Sequence, residues 1–374
     1  IGIDFGTTHS CICTWTNEGI VFIPNGLGER TTQSVVIFEN KNKVYVGEET
    51  LNYLSKKNCI KIYEIKRLIG KKYSEIENIK KYFAFNVEKQ KDKDRPIIKI
   101  TFGNGETSEY SPEEIACLIF KKLISNAENF LNQKITDVVI AVPANFTDIQ
   151  RHAIKYSVES IPGIKVLQII NESTAAAFAY EFYRINEIGK NTLFGFDESL
   201  LGFARHPIEI KEKNNSISLT KAPSMKSISL QNKKKESEID EAKHVLIFDF
   251  GGGAYDVSIV EMDECFVETI ASSGNQMLGG ADFDNKLIEF CLNNFSKKTK
   301  IDIEKIKNNY KSMQRLKIAC EKTKKILSTK MEDIIYIEDF YEQEPLSIPI
   351  TRERFEELCK DIFDKLLIPL NHAI

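Results

Sequence analysis

Apolar residues recur along the chain in short continuous runs that alternate with longer stretches of helical spacing. The runs 137–142 and 166–170 are typical of buried strands. Capping boxes start at Ser111 and Thr147, and the apolar residues that follow each box have helical spacing, so both predict helices. Further helices are predicted over 282–296, about 302–328 and 352–367. This alternation of strand and helix predicts an α/β protein.

Two of the apolar strands end in an aspartate that is followed at once by a glycine-containing turn. The segment 1–8 reads IGIDFGTT, and the segment 245–253 reads VLIFDFGGG. Glycine lets backbone N–H groups approach an anion, and threonine hydroxyls add further donors. One such pattern is as often a plain tight turn, but its recurrence favours two phosphate loops. Because Asp4 and Asp249 would repel each other in one site, magnesium on nucleotide phosphates is the expected third partner.

Composition excludes several classes of protein. At 374 residues the chain is longer than a single hydrophobic core usually allows, so at least two domains are expected. A net charge of -3 argues against nucleic-acid binding. The sequence contains no long uncharged apolar run, so we expect neither a membrane span nor a signal peptide. The eight cysteines lack zinc-like spacing and are expected to be reduced and mostly buried.

Two common nucleotide motifs do not fit the chain. Neither Gly70 nor Gly189 belongs to a Walker P-loop, and Asp256 stands where a dinucleotide fingerprint needs its third glycine. Residues 184–243 are rich in Lys, Asn, Ser and Glu and are interpreted as a solvated insertion, mostly loop. Residues 171–174 are predicted to form a loop before a helix that begins near Ala175.

Seven ordered blocks resemble the signatures of the seventy-kilodalton heat-shock chaperones. They are 1–11, 65–70, 139–151, 169–179, 245–260, 278–285 and 319–328. The chain resembles the ATPase domain of a divergent member over nearly its whole length, apart from the insertion. The resemblance implies a two-lobed, actin-like α/β ATPase fold, in which two duplicated ribonuclease-H-like domains hold ATP in a central cleft.

The same resemblance implies domain boundaries. Lobe I would cover 1–183, with an outer subdomain at about 35–111. The insertion would cover 184–243, and lobe II would cover 244–374, with an outer subdomain at about 278–360. Lobe II would stop short of the family's last glycine-rich adenosine loop, its linker and its peptide-binding domain.

The resemblance also implies the site residues. The residues implied in catalysis are Asp4, Thr7, Lys66, Glu172, Asp249 and Asp256. Asp4 and Asp249 would hold Mg²⁺ through waters, with K⁺ as a further candidate cation. The residues implied in binding ATP or ADP are Gly6, Thr7, Thr8, Gly251, Gly252, Gly253, Gly279, Gly280, Glu321, Lys324, Lys325 and Ser328. Glu321, Lys324, Lys325 and Ser328 share one helical face, which is also the spacing of an ordinary solvated charged stripe.

Four positions depart from the family pattern. Ala254 replaces a threonine after the triple glycine, and Ser173 replaces the proline after the site glutamate. Lys325 replaces an arginine and lacks a planar group to stack on adenine. Gln168 stands where many members carry an arginine that engages J-domain cochaperones.

The primary functional hypothesis is an ATP-binding, slowly hydrolysing chaperone domain. Its implied partners are unfolded polypeptide clients, which bind through a C-terminal domain, a J-domain cochaperone and a nucleotide exchange factor. We expect a cytoplasmic, monomeric domain in a stress-response protein, with neither nucleic acid nor membrane as a partner. The alternative is a relative that binds ATP but acts as an exchange factor or ribosome-associated scaffold, which Ala254, Ser173 and Gln168 motivate. A small-molecule kinase on the same fold ranks lower, because no sugar-binding loop pattern is visible.

Overall fold

A computed structural model describes residues 1–16, 19–53, 59–188, 208–213, 216–221, 243–262 and 267–374. The strands up to residue 110 are β1 Gly2–Asp4, β2 His9–Thr16, β3 Gly19–Phe22, β4 Thr31–Gln33, β5 Val36–Asn40, β6 Lys43–Val46, β7 Ile60–Ile62, β8 Asn86–Lys89, β9 Pro96–Thr101 and β10 Thr107–Tyr110. The later strands are β11 Asp137–Val142, β12 Lys165–Asn171, β13 Ile208–Lys213, β14 Ser216–Lys221, β15 Lys243–Phe250, β16 Tyr255–Met262, β17 Val267–Asn275, β18 Glu332–Tyr341 and β19 Glu344–Thr351.

The helices lie between these strands and at the end of the chain. They are α1 Glu77–Lys80, α2 Pro112–Leu131, α3 Asp148–Glu159, α4 Glu172–Ile188, α5 Gly280–Thr299, α6 Ile303–Lys307, α7 Tyr310–Leu327, α8 Arg352–Leu358 and α9 Lys360–Ala373. Short 3-10 helices cover Gly47–Tyr53, Ile65–Arg67 and Tyr73–Ile76. The mixture of helices and several sheets confirms the predicted α/β class. No helix in the described part of the chain has both the length and the apolar character that a membrane span requires.

Two sheets carry the aspartate-led loops. The larger sheet has the order β12-β11-β1-β2-β3, with β4 paired to β2. Within it, β1 is parallel to β11 and antiparallel to β2. The smaller sheet has the antiparallel order β15-β16-β17. In both sheets the loop therefore joins the two strands of an antiparallel hairpin, β1 to β2 and β15 to β16.

Separate hydrophobic cores support the two halves of the sequence. The largest is built from residues between 3 and 166, and Phe5 of the first loop packs against Phe120 of α2 with ring centroids 4.6 Å apart. Another joins α5 and α7 to β18 and β19 through residues such as Leu287 and Leu316. Gly70 lets the chain turn against α3: it has a φ of +66°, and a Cβ there would lie 2.7 Å from the Gln150 Cα.

The local predictions are mostly confirmed at the capping boxes and strands. The Ser111 and Thr147 side chains accept hydrogen bonds from the backbone N–H groups of Glu114 and Gln150, as the boxes predicted. Two of the predicted helices are each divided into two. The helix predicted over about 302–328 breaks at residues 308–309, and the helix predicted over 352–367 breaks at Cys359. The first break has a local cause, because the Asn309 side chain accepts from Ser312 N–H and starts a new helix.

One further prediction needs correction. The loop predicted at 171–174 is wrong, because α4 already begins at Glu172, where a carboxylate is favourable next to the positive end of a helix. The predicted insertion 184–243 begins inside α4, which continues to Ile188, and it contains the antiparallel pair β13 and β14. Apart from Lys243, which begins β15, the rest of the insertion lies outside the described residues. The seven cysteines in the described ranges form no disulfide, and five of them are buried.

Candidate functional site

The two aspartate-led loops contact each other directly. A Cβ added at Gly253 would lie 2.4 Å from Thr7 Cγ2, and one added at Gly252 would lie 2.5 Å from Thr8 Cγ2. Neither glycine has a positive φ. Glycine is therefore required here for close approach of the loops, rather than for an unusual backbone conformation.

The turn at Gly279 and Gly280 packs against the back of the second loop. Gly280 N–H donates to the Gly251 carbonyl at 3.0 Å, and Ala281 N–H donates to the Gly252 carbonyl at 2.8 Å. A Cβ at Gly279 would lie 2.5 Å from the Gly253 nitrogen. The first loop is compact within itself, since a Cβ at Gly6 would lie 1.9 Å from the His9 carbonyl oxygen. Gly6, Gly252, Gly253 and Gly279 therefore lie at places of tight packing, whereas a Cβ at Gly251 would meet only the Ala254 carbonyl oxygen at 3.4 Å.

A buried ion pair lies beside the loops. Lys66 Nζ donates to Glu172 Oε1 at 2.5 Å, and the two side chains are only 6% and 14% exposed. Lys66 belongs to the 3-10 turn Ile65–Arg67, and Glu172 is the first residue of α4. Burial acts to lower the pKa of Lys66, but the carboxylates of Glu172, Asp4 and Asp249 raise it above its ordinary value. Lys66 therefore carries its positive charge throughout the physiological pH range.

Three aspartates surround this pair. Asp4 ends β1, while Asp249 on β15 lies directly opposite Asp256 on β16. Water reaches the Asp4 side chain, yet desolvation by the surrounding protein raises its pKa to about 6. Lys66 opposes this rise, whereas Glu172 and Asp249 add to it. Burial also raises the pKa of Asp249, to which Glu172 adds. The structure thus brings Asp4, Lys66, Glu172 and Asp249 within electrostatic reach of one another.

Asp256 is the most deeply buried of these carboxyl groups. Its side chain is 3% exposed, and burial, with Glu172 and Asp249, raises its pKa to about 7. Asp256 Oδ1 has no hydrogen-bond partner among the described residues. Close by, the Gln276 side-chain amide donates to the Asn145 carbonyl at 2.5 Å. A buried acceptor without a donor is the arrangement expected of a site that admits water or a hydrated cation.

The residues predicted to contact the nucleoside lie on α7 and at its C-terminal end. Lys324 points toward the glycine turn, where Nζ donates to the Gly280 carbonyl at 2.8 Å and pairs with Asp284 at 2.8 Å. Lys325 is 67% exposed and pairs with Glu321 one turn earlier at 2.8 Å. Ser328 is exposed at the end of the helix. Burial lowers the pKa of His9, and the positive charge of Lys325 lowers it further. This end of α7 therefore lies near the first loop.

The departures from the family pattern have distinct surroundings. Ala254 closes the second loop, since its carbonyl accepts from Gly251 N–H at 3.0 Å, but it offers no hydroxyl. Ser173 is buried, and its Oγ has no partner among the described residues. Gln168 is exposed on β12.

Reasoning from the sequence missed one charged group in the site. Arg67, next to Lys66, donates from Nε to the Gly253 carbonyl at 3.2 Å and from Nη2 to Asp282 Oδ2 at 2.6 Å. It also donates to Glu64, which in turn accepts from Lys317. The signal was present, because 65–70 is an apolar block that contains two adjacent cations, and buried cations need partners.

The donor set fits a nucleotide phosphate with a divalent cation. No group of three or more His, Cys, Asp or Glu side chains in the described ranges is arranged to hold a metal ion alone. Magnesium in phosphate sites is commonly held by one or two carboxylates together with the phosphates and waters. Asp4 and Asp249 supply hard oxygens, while the threonines, the loop amides and Lys66 supply donors.

Comparison with known proteins gives one consistent result. The family model described as "Hsp70 protein" matches residues 1–215 and 227–374. Over the whole chain, the sequence is 34% identical to Heat shock cognate 70 kDa protein 3 of Dictyostelium discoideum and covers 51% of it. It is 34% identical to Heat shock 70 kDa protein 2 of Paracoccidioides lutzii and 33% identical to Heat shock 70 kDa protein of Trichophyton rubrum, covering 48% of each. The chain spans about half the length of these relatives. From the family match and these identities, we conclude that the chain belongs to the Hsp70 family.

Proposed function

We propose that the chain is the nucleotide-binding domain of a chaperone and that it binds ATP and hydrolyses it slowly to ADP and phosphate. The observation that carries this proposal is the direct contact of the two aspartate-led loops beside the buried Lys66–Glu172 pair. Phosphoryl transfer depends mostly on positioning and charge stabilisation, and this arrangement offers both.

The phosphates are expected to contact donors from both loops. Thr7 and Thr8 offer hydroxyls, and the backbone at 251–253 offers N–H groups. The Lys66 ammonium, held by Glu172 at 2.5 Å, would face the γ-phosphate and orient the attacking water. Asp256, with a pKa of about 7, can exchange a proton near neutral pH, so it would be a second group that binds that water.

Magnesium would be held by Asp4 and Asp249 through waters. When bound, it neutralises charge on the phosphate oxygens. In the protein alone, the raised pKa values of both carboxyl groups reflect the cost of burying negative charge, which a cation would reduce.

We also propose the finer architecture that the family implies. The two halves would be ribonuclease-H-like lobes at 1–183 and 244–374, with outer subdomains at about 35–111 and 278–360. Two observations support it: both halves contain a hairpin with an aspartate-led loop, and separate cores serve the two parts of the sequence. On this proposal the face of α7 with Glu321, Lys324, Lys325 and Ser328 receives the adenosine, next to Gly279 and Gly280.

The wider role is proposed from family membership. Because the chain spans about half of its relatives, coupling of the nucleotide cycle to client binding would need residues outside this segment. Clients, a J-domain cochaperone and a nucleotide exchange factor are the proposed partners, and the cytoplasm is the proposed compartment.

The proposal is tested by single-turnover ATP hydrolysis in wild type and Lys66→Ala. Removing a preorganised positive donor is expected to lower the rate constant by about 10²–10³-fold. Lys121→Ala, which removes an exposed lysine on α2, is the control and should hydrolyse at the wild-type rate. Equal rate constants for wild type and Lys66→Ala would contradict the assigned role of Lys66.

The exchange-factor alternative has one structural observation in its favour. The Ser173 hydroxyl is buried without a partner directly after Glu172, at the position where the family has the proline of its nucleotide-dependent switch. If the protein accelerates ADP release from a second Hsp70 while wild type hydrolyses ATP no faster than Lys66→Ala, the alternative is correct. If Ser173→Pro raises client-stimulated hydrolysis in the full-length protein, the chaperone cycle is supported.

A further inference from the structure

A buried chain of alternating charges joins the Lys66 turn to the second half of the sequence. Lys317 on α7 donates to the Glu64 carboxylate, which accepts from Arg67 Nη1 at 3.2 Å. Arg67 Nη2 then donates to Asp282 on α5 at 2.6 Å. Its third nitrogen, Nε, donates to the Gly253 carbonyl in the second loop at 3.2 Å. The Arg67 guanidinium thus contacts Glu64 beside its own turn, Asp282 on α5 and Gly253 in the second loop.

These four paired charges are largely buried, so their side chains must keep a fixed geometry. The Arg67 and Glu64 side chains are 2% and 6% exposed. Two cations alternate with two carboxylates, so the chain is neutral, and Lys317 also lies 3.9 Å from the Tyr63 ring centroid. Burying charges is favourable only when they are paired and hydrogen-bonded with good geometry. Removing one member therefore leaves an unpaired buried charge.

Glu64 is held in an unusual backbone conformation at the start of the turn. Its φ of 55° lies in the left-handed region, which non-glycine residues seldom adopt. Such conformations persist where the surroundings determine them strongly. Here the Glu64 carboxylate is fixed by cations from two different segments, Arg67 and Lys317.

Lys66 and Arg67 are neighbours, but their partners lie in different parts of the chain. Lys66 pairs with Glu172 on α4, and Arg67 pairs with Asp282 and the Gly253 carbonyl. Because both belong to one 3-10 turn, a displacement of one moves the other. The contacts of Arg67 with Asp282 and the Gly253 carbonyl therefore restrain the turn that carries Lys66.

We propose that Arg67 is a positioning residue for ATP hydrolysis. It acts through the backbone of the second loop and through its neighbour Lys66, with Glu64 and Asp282 as its fixed partners. This role rests on the hydrolysing function proposed above. Loss of a purely structural residue would weaken the fold or the binding of nucleotide, whereas loss of a positioning residue lowers the rate of the chemical step after ATP is bound.

The test uses the full-length protein with the variants Arg67→Ala and Arg67→Lys. For each, the ATP dissociation constant and the single-turnover rate constant at saturating ATP are measured separately. A small misplacement of a catalytic group can lower a rate by about 10²-fold, and we expect a loss of that order for Arg67→Ala. Arg67→Lys keeps the charge but lacks the planar fork that reaches Glu64, Asp282 and Gly253 together, so we expect it to lose most of the same rate. The dissociation constant should change much less than the rate constant.

Arg315→Ala is the matched control. Arg315 also donates to backbone carbonyls, those of Glu338 and Asp339, but within the second half and away from Lys66. It should keep the wild-type rate constant. Arg67→Lys also serves as the second variant if Arg67→Ala does not fold.

The outcomes separate the two proposals. If wild type hydrolyses ATP and Arg67→Lys keeps the wild-type rate constant, the positioning role is overturned and the proposed function stands. The positioning role is also overturned if the variants lose affinity for ATP with an unchanged rate constant. If wild type binds ATP without hydrolysing it, the proposed hydrolysis fails, and the positioning role fails with it.

Discussion

The two aspartate-led hairpins have the same order of parts but different chemistry. In the first, Asp4 lies opposite Cys11, so the carboxylate faces a thiol. In the second, Asp249 lies opposite Asp256, so two carboxylates face each other. Only the first loop carries hydroxyl donors, Thr7 and Thr8, whereas the second consists of glycines followed by Ala254. The first hairpin is thus specialised to donate hydrogen bonds and the second to supply negative charge.

The glycines of the two loops also serve different contacts. Gly6 is required by its own loop, because the His9 carbonyl occupies the space of a side chain. Gly252 and Gly253 are required by the other loop, because Thr8 and Thr7 occupy that space. The second loop is therefore adapted to the first. Substitutions in the two loops should reveal this dependence.

The largest effect concerns the paired carboxylates of the second hairpin. The pKa of Asp256 is raised from 3.8 to about 7, so protonation favours the folded state. That stabilisation is complete below pH 3.8 and is lost as the pH rises through about 7. Wild type loses this stabilisation as the pH rises, whereas the neutral side chain of Asp256→Asn does not titrate. The free energy of unfolding of Asp256→Asn minus that of wild type should therefore rise by about 3 kcal/mol from pH 5 to 8. Denaturant unfolding with a metal chelator measures this.

Asp4→Asn is the comparison for that experiment. The pKa of Asp4 is also raised, but water reaches its side chain, so its pH dependence should be smaller. Parallel stability curves for wild type and Asp256→Asn would show that the Asp256 carboxyl group is not perturbed.

The next effect concerns the fit of the second loop against the first. Gly253→Ala places a Cβ 2.4 Å from Thr7 Cγ2 and should lower the free energy of unfolding by about 1–3 kcal/mol through overpacking. Gly251→Ala is the matched control, because its Cβ would meet only the Ala254 carbonyl at 3.4 Å. Thermal unfolding compares the two variants.

A second substitution identifies the cause of that loss. Thr7→Ser removes Cγ2 and should recover part of the stability lost in Gly253→Ala. If Gly251→Ala and Gly253→Ala are equally stable, the loops do not contact each other in solution as described.

The smallest effect concerns the hydroxyl that the second loop lacks. Ala254→Thr restores a donor, and one net hydrogen bond is worth about 1 kcal/mol, so the hydrolysis rate constant should rise by about 5-fold. Ala254→Val has nearly the same shape without the hydroxyl and should give no gain. Single-turnover hydrolysis measures all three proteins. An equal gain in both variants would show that packing, not the hydroxyl, limits the second loop.

The sequence was most informative where function is carried by local patterns. The recurrence of aspartate and glycine identified Asp4 and Asp249 as a pair, and the resemblance to the family directed attention to Lys66. Local start signals also predicted the helices after Ser111 and Thr147, because a capping side chain lies within four residues of its donor. These features need no knowledge of tertiary structure.

The contacts that define the geometry could not be predicted in the same way. Arg67 finds its partners at Gly253 and Asp282, more than 180 positions along the chain, and no local pattern specifies such a pairing. The start of α4 at Glu172 was missed because helix propensity ignores the charge at the helix end. The break at residues 308–309 was missed because a continuous polar-apolar period concealed the capping role of Asn309.

The contact between Thr7 and Gly253 also has a consequence for the order of folding. It joins a residue near the start of the sequence to one in its second half, and such long-range contacts form slowly because a large loop of chain must be closed first. Each hairpin can form from neighbouring residues, whereas the interface between the loops must wait for both. Interactions absent from the folding transition state mainly affect the unfolding rate. We therefore expect substitutions at this interface to speed unfolding and to leave the refolding rate almost unchanged.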